Sequence, residues 1–157
     1  MSSAETAPTM AQVVPSSPLA WQTFMAMNPP KTTHNDLCVR RRSSGHHFIG
    51  KSDRLLRAED AICARVRPSA PSMPMGGKLR AKVTWCFPTN SAHEDGEPMD
   101  EVPDLDNLAK TFLDCLKRCH VIEDDALIVE EHLTKVWSDP CGIFVRIERI
   151  GGAGGGR

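Results

Sequence analysis

The clearest hydrophobic signal in the chain is the alternation in KLRAKVTWCF, residues 78–87. Leu79, Ala81, Val83, Trp85 and Phe87 take one phase; Arg80, Lys82 and Thr84 take the other. A period of two predicts a strand with one core face and one face of positive charge. Residues 105–119 follow a different period, with Leu108, Phe112, Cys115, Leu116 and Cys119 at helical spacing. That stripe predicts an amphipathic helix with Asp106 at its N-cap and Lys110, Asp114 and Lys117 on another face.

The remaining elements follow from weaker patterns. LAWQTFMAM (19–27) reads as a first strand, stopped by Asn28-Pro29-Pro30. Residues 31–51 are polar and basic and read as a loop. A helix is predicted over 52–66: Ser52 or Asp53 can cap it, and Leu55, Leu56, Glu59, Ile62 and Val66 form its partly apolar face. Pro68 ends it, and SAPSMPMGG is a linker. ALIVEEHLTKVW (126–137) is ambiguous. Leu127, Val129, Leu133 and Trp137 on one side favour a strand, whereas EEHL suits a helix. IFVRIERI alternates as a last strand. The order β–α–β–α–β–β predicts an α+β domain: a small mixed β-sheet with two main helices packed on it.

Composition narrows the class. At 157 residues, with 40% hydrophobic and 25% charged side chains, the chain suits one soluble domain, here residues 19–150. Residues 1–18 read as a disordered tail and the glycine-rich 151–157 as a flexible one. No apolar run approaches the ~20 residues of a membrane span, and the N-terminus lacks the pattern of a secretory signal. A cytoplasmic protein without a membrane partner is expected. A net charge of −1 excludes a strongly basic nucleic-acid module but not a local basic patch. The six cysteines include no C-x-x-C pair, which argues against structural zinc. Cys115 and Cys119 lie beside His120, but they belong to the apolar stripe and are expected in the core.

The candidate chemistry lies in PDLDNLAKTFLDCLKRCHVIEDDA, residues 103–126. Taken singly, its acids have ordinary explanations: Asp104 in a loop, Asp106 as a cap, Asp114 solvated, Asp124-Asp125 in a turn. Taken together they suggest a constellation. Asp104 and Asp106 project to one side of an extended approach, ~7 Å apart by strand rise. Lys110 follows Asp106 by one helical turn, and the returning chain can bring Asp124-Asp125 back to the helix. Two carboxylates ~6.5 Å apart repel by roughly 2.5 kcal/mol at an effective dielectric of 20. A divalent cation removes that penalty, and all-oxygen ligands favour Mg2+, with Mn2+ as a substitute. Such a site polarises a phosphate and activates water, and Lys110 can neutralise developing charge.

PDLDNLAKTFLDCL followed by EDDALIVE closely resembles the signature of the RusA family of Holliday junction resolvases: D-x-D-N-L-x-K, then D-x-L, then a D-D-A turn entering a strand. The strong likeness covers about 103–137 and a weaker one runs from 20 to 150. The resemblance implies a homodimeric, Mg2+-dependent endonuclease that places paired symmetric nicks in four-way DNA junctions, in recombination and repair. By motif, Asp104, Asp106 and Asp125 are the implied metal-binding acids and Lys110 the catalytic lysine. Asn107 is expected to support the helix start. Asp114 is open between structure and site, and Asp124 is the neighbour to test beside Asp125. The basic arm around Arg40, Arg41 and Arg42, together with the Arg80/Lys82 face, is the candidate DNA contact. One departure stands out: the D-x-D motif is approached by an acidic loop, 94–101, which would repel phosphate. Two other readings remain: a DNA-binding dimer of the same fold without cleavage, and a structural domain whose acids are only caps and turns.

Overall fold

The computed structural model describes residues 18–151; the predicted tails, apart from residues 18 and 151, lie outside them. Six strands and two helices follow in chain order: β1 (Ala20–Met25), β2 (Leu37–Arg41), β3 (His47–Lys51), α1 (Asp53–Val66), β4 (Leu79–Pro88), α2 (Leu105–Arg118), β5 (Ile128–Ser138) and β6 (Gly142–Arg149). The main sheet runs β1-β6-β4-β5, and β2 and β3 form a separate hairpin. Strand β4 is antiparallel to β6 and parallel to β5, so the sheet is mixed, as expected for the α+β class.

Alternation in β4 has the predicted consequence. Leu79, Ala81, Val83, Trp85 and Phe87 are all buried and share a core with Ile143, Val145 and Ile147 of β6. Helix α2 adds Leu108, Phe112, Cys115 and Leu116, and Phe112 meets Trp85 edge-on at 6.1 Å. Each such large side chain contributes about 1.5–3 kcal/mol by leaving water. Helix α1 is capped by Ser52, whose hydroxyl accepts from Leu55 N at 3.1 Å. Its buried face is Leu55, Ala58, Glu59, Ile62, Cys63 and Val66, while Leu56 turns outward. All six cysteines are free. Cys63, Cys115 and Cys119 lie buried between the helices, and burial raises the Cys115 and Cys119 thiols, the latter to about 12. They are inert core groups rather than ligands.

Two readings are corrected and an ambiguous one is resolved in favour of a strand. Residues 31–51 are not a loop: Val39 pairs with Ile49 and Arg40 with Phe48 in the β2–β3 hairpin. β-Branched and aromatic side chains favour the strands, and the turn closes through Gly45, at φ 88°, a conformation glycine adopts without strain. The N-cap of α2 is Asp104, not Asp106. Residues 126–137 resolve into a short 3-10 turn, Asp125–Leu127, and then strand β5.

The register of β5 departs from simple alternation. Leu79 pairs with Ile128 but Arg80 pairs with Glu130, so Val129 is an extra residue in a bulge, 58% exposed. A single extra residue inverts the phase of everything after it. Of the four residues expected on one side, Leu133 and Trp137 lie on the core face. Glu131 and Lys135 share that face through their pairing with Ala81 and Trp85.

The acidic loop also finds its place. Gly96 N donates to Trp137 O (2.8 Å), Trp137 N to Glu97 O (2.8 Å) and Met99 N to Lys135 O (3.1 Å). The loop thereby covers part of the outer edge of β5, which an uncovered sheet would expose to pairing with another chain. His93 stacks on Trp137 at 4.4 Å and lies 3.1 Å from Glu97 and 3.6 Å from Glu101. Two of the loop's five acids, Glu97 and Glu101, are thus drawn to one histidine.

Candidate active site

Helix α2 and the chain that follows it bring the site together. Asp106 lies in the first turn of α2, and Lys110 and Asp114 follow at successive intervals of four residues. At its far end Val121 N donates to Leu116 O (2.9 Å) and His120 N to Lys117 O (3.0 Å), with His120 at φ 57°. This is a Schellman ending, which reverses the chain. The returning segment is then pinned by Met75 of the predicted linker: Met75 N donates to Val121 O (2.8 Å) and Glu123 N to Met75 O (3.0 Å). Met75 is fully buried, so the turn carrying Asp124 and Asp125 is anchored in the core.

The reversal carries Asp125 to Lys110. Lys110 Nζ lies 2.9 Å from Asp114 Oδ1 and 3.0 Å from Asp125 Oδ2. The two carboxylates hold the ammonium above its ordinary range, Asp114 contributing most; Lys110 in turn is the main cause of a lowered Asp125 carboxyl. Lys117 lies 3.2 Å from Asp124 and 3.6 Å from Asp125. Asp124 has a local task as well, since its Oδ1 accepts from Ala126 N at 2.9 Å and caps the 3-10 turn.

Asp106, Lys110 and Asp125 line an open cleft of about 460 Å³ with one further polar residue, Glu131 of β5. Leu105, Ala109, Leu113 and Leu133 supply its apolar lining. Glu131 alternates in phase with Leu133 and Trp137 but was absent from the sequence candidates, because nothing along β5 shows that this face meets the acids of α2 and the returning turn. Asp104 is exposed just ahead of the helix and does not line the cleft. It occupies the N-cap position, but its side chain makes no capping hydrogen bond. Lys135 holds the approach to it, donating to the carbonyls of Pro103 (2.8 Å) and Glu101.

The motif asparagine has a structural role. Asn107 Oδ1 accepts from Asn35 Nδ2 at 2.9 Å, and Thr111 Oγ1 accepts from His34 N at 2.8 Å. These bonds attach the base of the hairpin arm to the first turns of α2. On the arm, Arg40 is spent on Asp53 (2.7 Å) and Arg42 lies over the Phe48 ring at 5.2 Å. Arg41 is exposed and has no ion pair among the described residues.

The expected positive face of β4 is corrected. Arg80 lies 2.9 Å from Glu130 of β5 and 3.1 Å from Glu148 of β6, and Lys82 lies 3.8 Å from Glu148. Arg146 also meets Glu148, at 3.0 Å. Arg80, with help from His132, pushes the Glu130 carboxyl down to about 2. Acids on the flanking strands therefore neutralise much of this face, which the sequence of β4 alone does not reveal.

The donor types around the cleft suit a hard divalent cation, since every candidate ligand is a carboxylate oxygen. Among the described residues, however, no three such side chains are drawn together closely enough to hold an ion. Lys110 pairs with Asp125 instead. An ion shared by Asp106 and Asp125 requires Asp125 to exchange that ammonium for the metal.

Comparison with known families bears on this arrangement. A family model described as endodeoxyribonuclease RusA matches residues 28–148, which take in the hairpin arm, both helices and the cleft. The chain belongs to the RusA family. A search of curated proteins finds no match. RusA proteins are nucleases acting on branched DNA, so the cleft of α2 and the Asp125 turn is the candidate active site of a nuclease-family chain. No helix of the described residues is long and apolar enough to cross a membrane.

Proposed function

We propose that this RusA-family chain is a Mg2+-dependent endonuclease that resolves Holliday junctions by paired symmetric nicks, in DNA recombination and repair in the cytoplasm. The observation that supports it best is the cleft where Asp106 and Lys110 of α2 meet Asp125 of the returning turn. Asp106 and Asp125, with Asp104 at the entrance to α2, would hold the cation. When bound, such an ion polarises the scissile phosphate and lowers the pKa of water. Lys110 bridges two carboxylates in the cation-free arrangement. Released from Asp125, its ammonium stabilises charge developing on the phosphate oxygens.

Two cuts at symmetric positions call for two sites related by a two-fold axis, and a homodimer supplies them. Arg41 and Arg42, on an arm joined to α2 through Asn35 and Asn107, are the favoured phosphate contacts. The test is cleavage of a synthetic four-way junction by the purified protein. Paired nicks with Mg2+ and none with EDTA are expected. Equal cleavage of linear duplex would reduce the reading to a general nuclease, and binding without cleavage at any Mg2+ concentration would favour the non-catalytic dimer.

A further inference from the structure

The two faces of the hairpin arm differ. Val39 pairs with Ile49 and Arg41 with His47, and side chains paired across an antiparallel ribbon share a face. The other face carries Arg40 and Phe48 and is occupied: Arg40 meets Asp53 of α1 at 2.7 Å, and Phe48 lies beneath Arg42. The first face has no such cover. Val39 is 70% and Ile49 73% exposed, and neither belongs to the core. A two-stranded ribbon is marginal by itself, and this one is held at its base. His34 N donates to Thr111, Asn35 to Asn107, and Arg54 meets Asp36 at 2.8 Å. The arm is thereby fixed to the helix that carries Asp106 and Lys110.

Residues 37–51 hold three arginines, two histidines and a lysine, and no acid. A second copy of this ribbon would set cations against cations. A cationic ribbon with an apolar centre calls for a partner that is negatively charged and also offers apolar surface. Intact duplex meets only half of that demand, since it exposes phosphates and groove edges while its base faces are stacked. At a branch point, base pairs beside the crossover lose a stacking neighbour and their faces open. Apolar side chains, isoleucine among them, act as wedges between base steps, and a two-stranded ribbon is narrow enough to enter a major groove. From this we infer that the Val39–Ile49 face docks at the branch point of a DNA junction, the apolar pair against opened base faces and Arg41 on the adjoining phosphates. The inference rests on branched DNA being the substrate, and it gives the arm the task of telling branched from linear DNA. The competing occupant of this face is another part of a second copy of the chain.

Binding of the full chain to a four-way junction and to a linear duplex of the same sequence, both in EDTA so that no strand is cut, separates the two. The double variant Val39→Thr, Ile49→Thr keeps β-branched side chains and replaces apolar surface by hydroxyls. It should lower junction affinity about fivefold or more, the low end of the cost of one lost base contact. Duplex affinity, set by phosphate contacts, should change less than about twofold. Val129→Thr, the same exchange at an exposed residue of β5, should change neither. An equal loss on both substrates, or an equal junction loss in Val129→Thr, overturns the inference. So does a double variant that sediments as a monomer where wild type is a dimer, which would make this face an interface between copies. Circular dichroism checks folding; if the double variant does not fold, Ile49→Thr alone must show the junction-selective loss. Wild type that binds junction and duplex equally overturns the proposed substrate and this inference together. A wild-type preference for the junction that the double variant retains overturns this inference alone.

Discussion

Replacing Lys110 by methionine keeps the length of the side chain and removes its charge, which makes it an informative perturbation of the cleft. Two ion pairs are lost, at 2.9 Å to Asp114 and 3.0 Å to Asp125. The full Coulomb term at these distances would be large, but the Lys110 side chain is 49% exposed, and pairs in such a setting contribute about 0.2–1 kcal/mol each. The expected destabilisation is about 0.5–2 kcal/mol, a fall in Tm of roughly 1–8 °C for a domain of this size. Its pH dependence has a defined sign. Asp125 is lowered from an ordinary 3.8, so its share is present above that value and disappears as pH falls through the folded pKa. Lys110 is raised from 10.5, so its share is present below that value and disappears as pH rises through the folded pKa. The Tm difference between wild type and Lys110→Met should therefore be fully developed from about pH 5 to 9 and shrink toward both extremes. Removing the ammonium also frees Asp125 and deletes a positive charge from the cleft. Mn2+ binding by the variant should be equal or tighter, while junction cleavage falls at least about 100-fold, the scale of losing one charge-stabilising group. Weaker metal binding, or cleavage near wild-type rate, would refute the assignment of Lys110 to the phosphate rather than to the fold.

Other outcomes follow from the same geometry. Asp106→Asn should abolish cleavage and leave junction binding intact in a gel-shift assay; retained cleavage removes Asp106 from the reaction. Arg41→Ala should weaken junction binding and reduce the slope of affinity against salt by about one. Arg80→Ala should leave that slope unchanged, because Glu130 and Glu148 already neutralise Arg80. A salt slope that responds to Arg80 and not to Arg41 would move the DNA to the open face of the sheet. Phe112→Ala removes the ring packed on Trp85 and should cost about 3–5 kcal/mol in denaturant unfolding. A loss below about 1 kcal/mol would mean that α2 does not depend on that contact.

The sequence by itself determined the elements whose signal is carried along one segment. The alternation of β4, the apolar stripe of α2 and the stop at Pro29-Pro30 are local patterns, and each appears in the structure where it was read. The spacing of Asp106, Lys110 and Asp114 is likewise local, because helical geometry places every fourth residue on one face. The hairpin of 37–51 was concealed by its polar and basic composition: three arginines and a Ser-Ser-Gly turn resemble a loop until cross-strand pairing is known.

Everything that depends on a neighbouring element was decided by tertiary structure. Arg80 looks free in β4 and is paired because β5 and β6 bring Glu130 and Glu148 to it. The acidic loop looks hostile to phosphate and proves to cover part of the edge of β5, with His93 drawing in Glu97 and Glu101. Lys110 meets Asp125 only because the chain reverses at His120 and Met75 anchors its return. Glu131 lines the cleft because its pairing with Ala81 puts it on the face of the sheet where α2 lies. Periodicity assigns a side chain to one face or the other of its own element, whereas register and chain reversal choose its partners, and charges separated along the chain interact only once that choice is made.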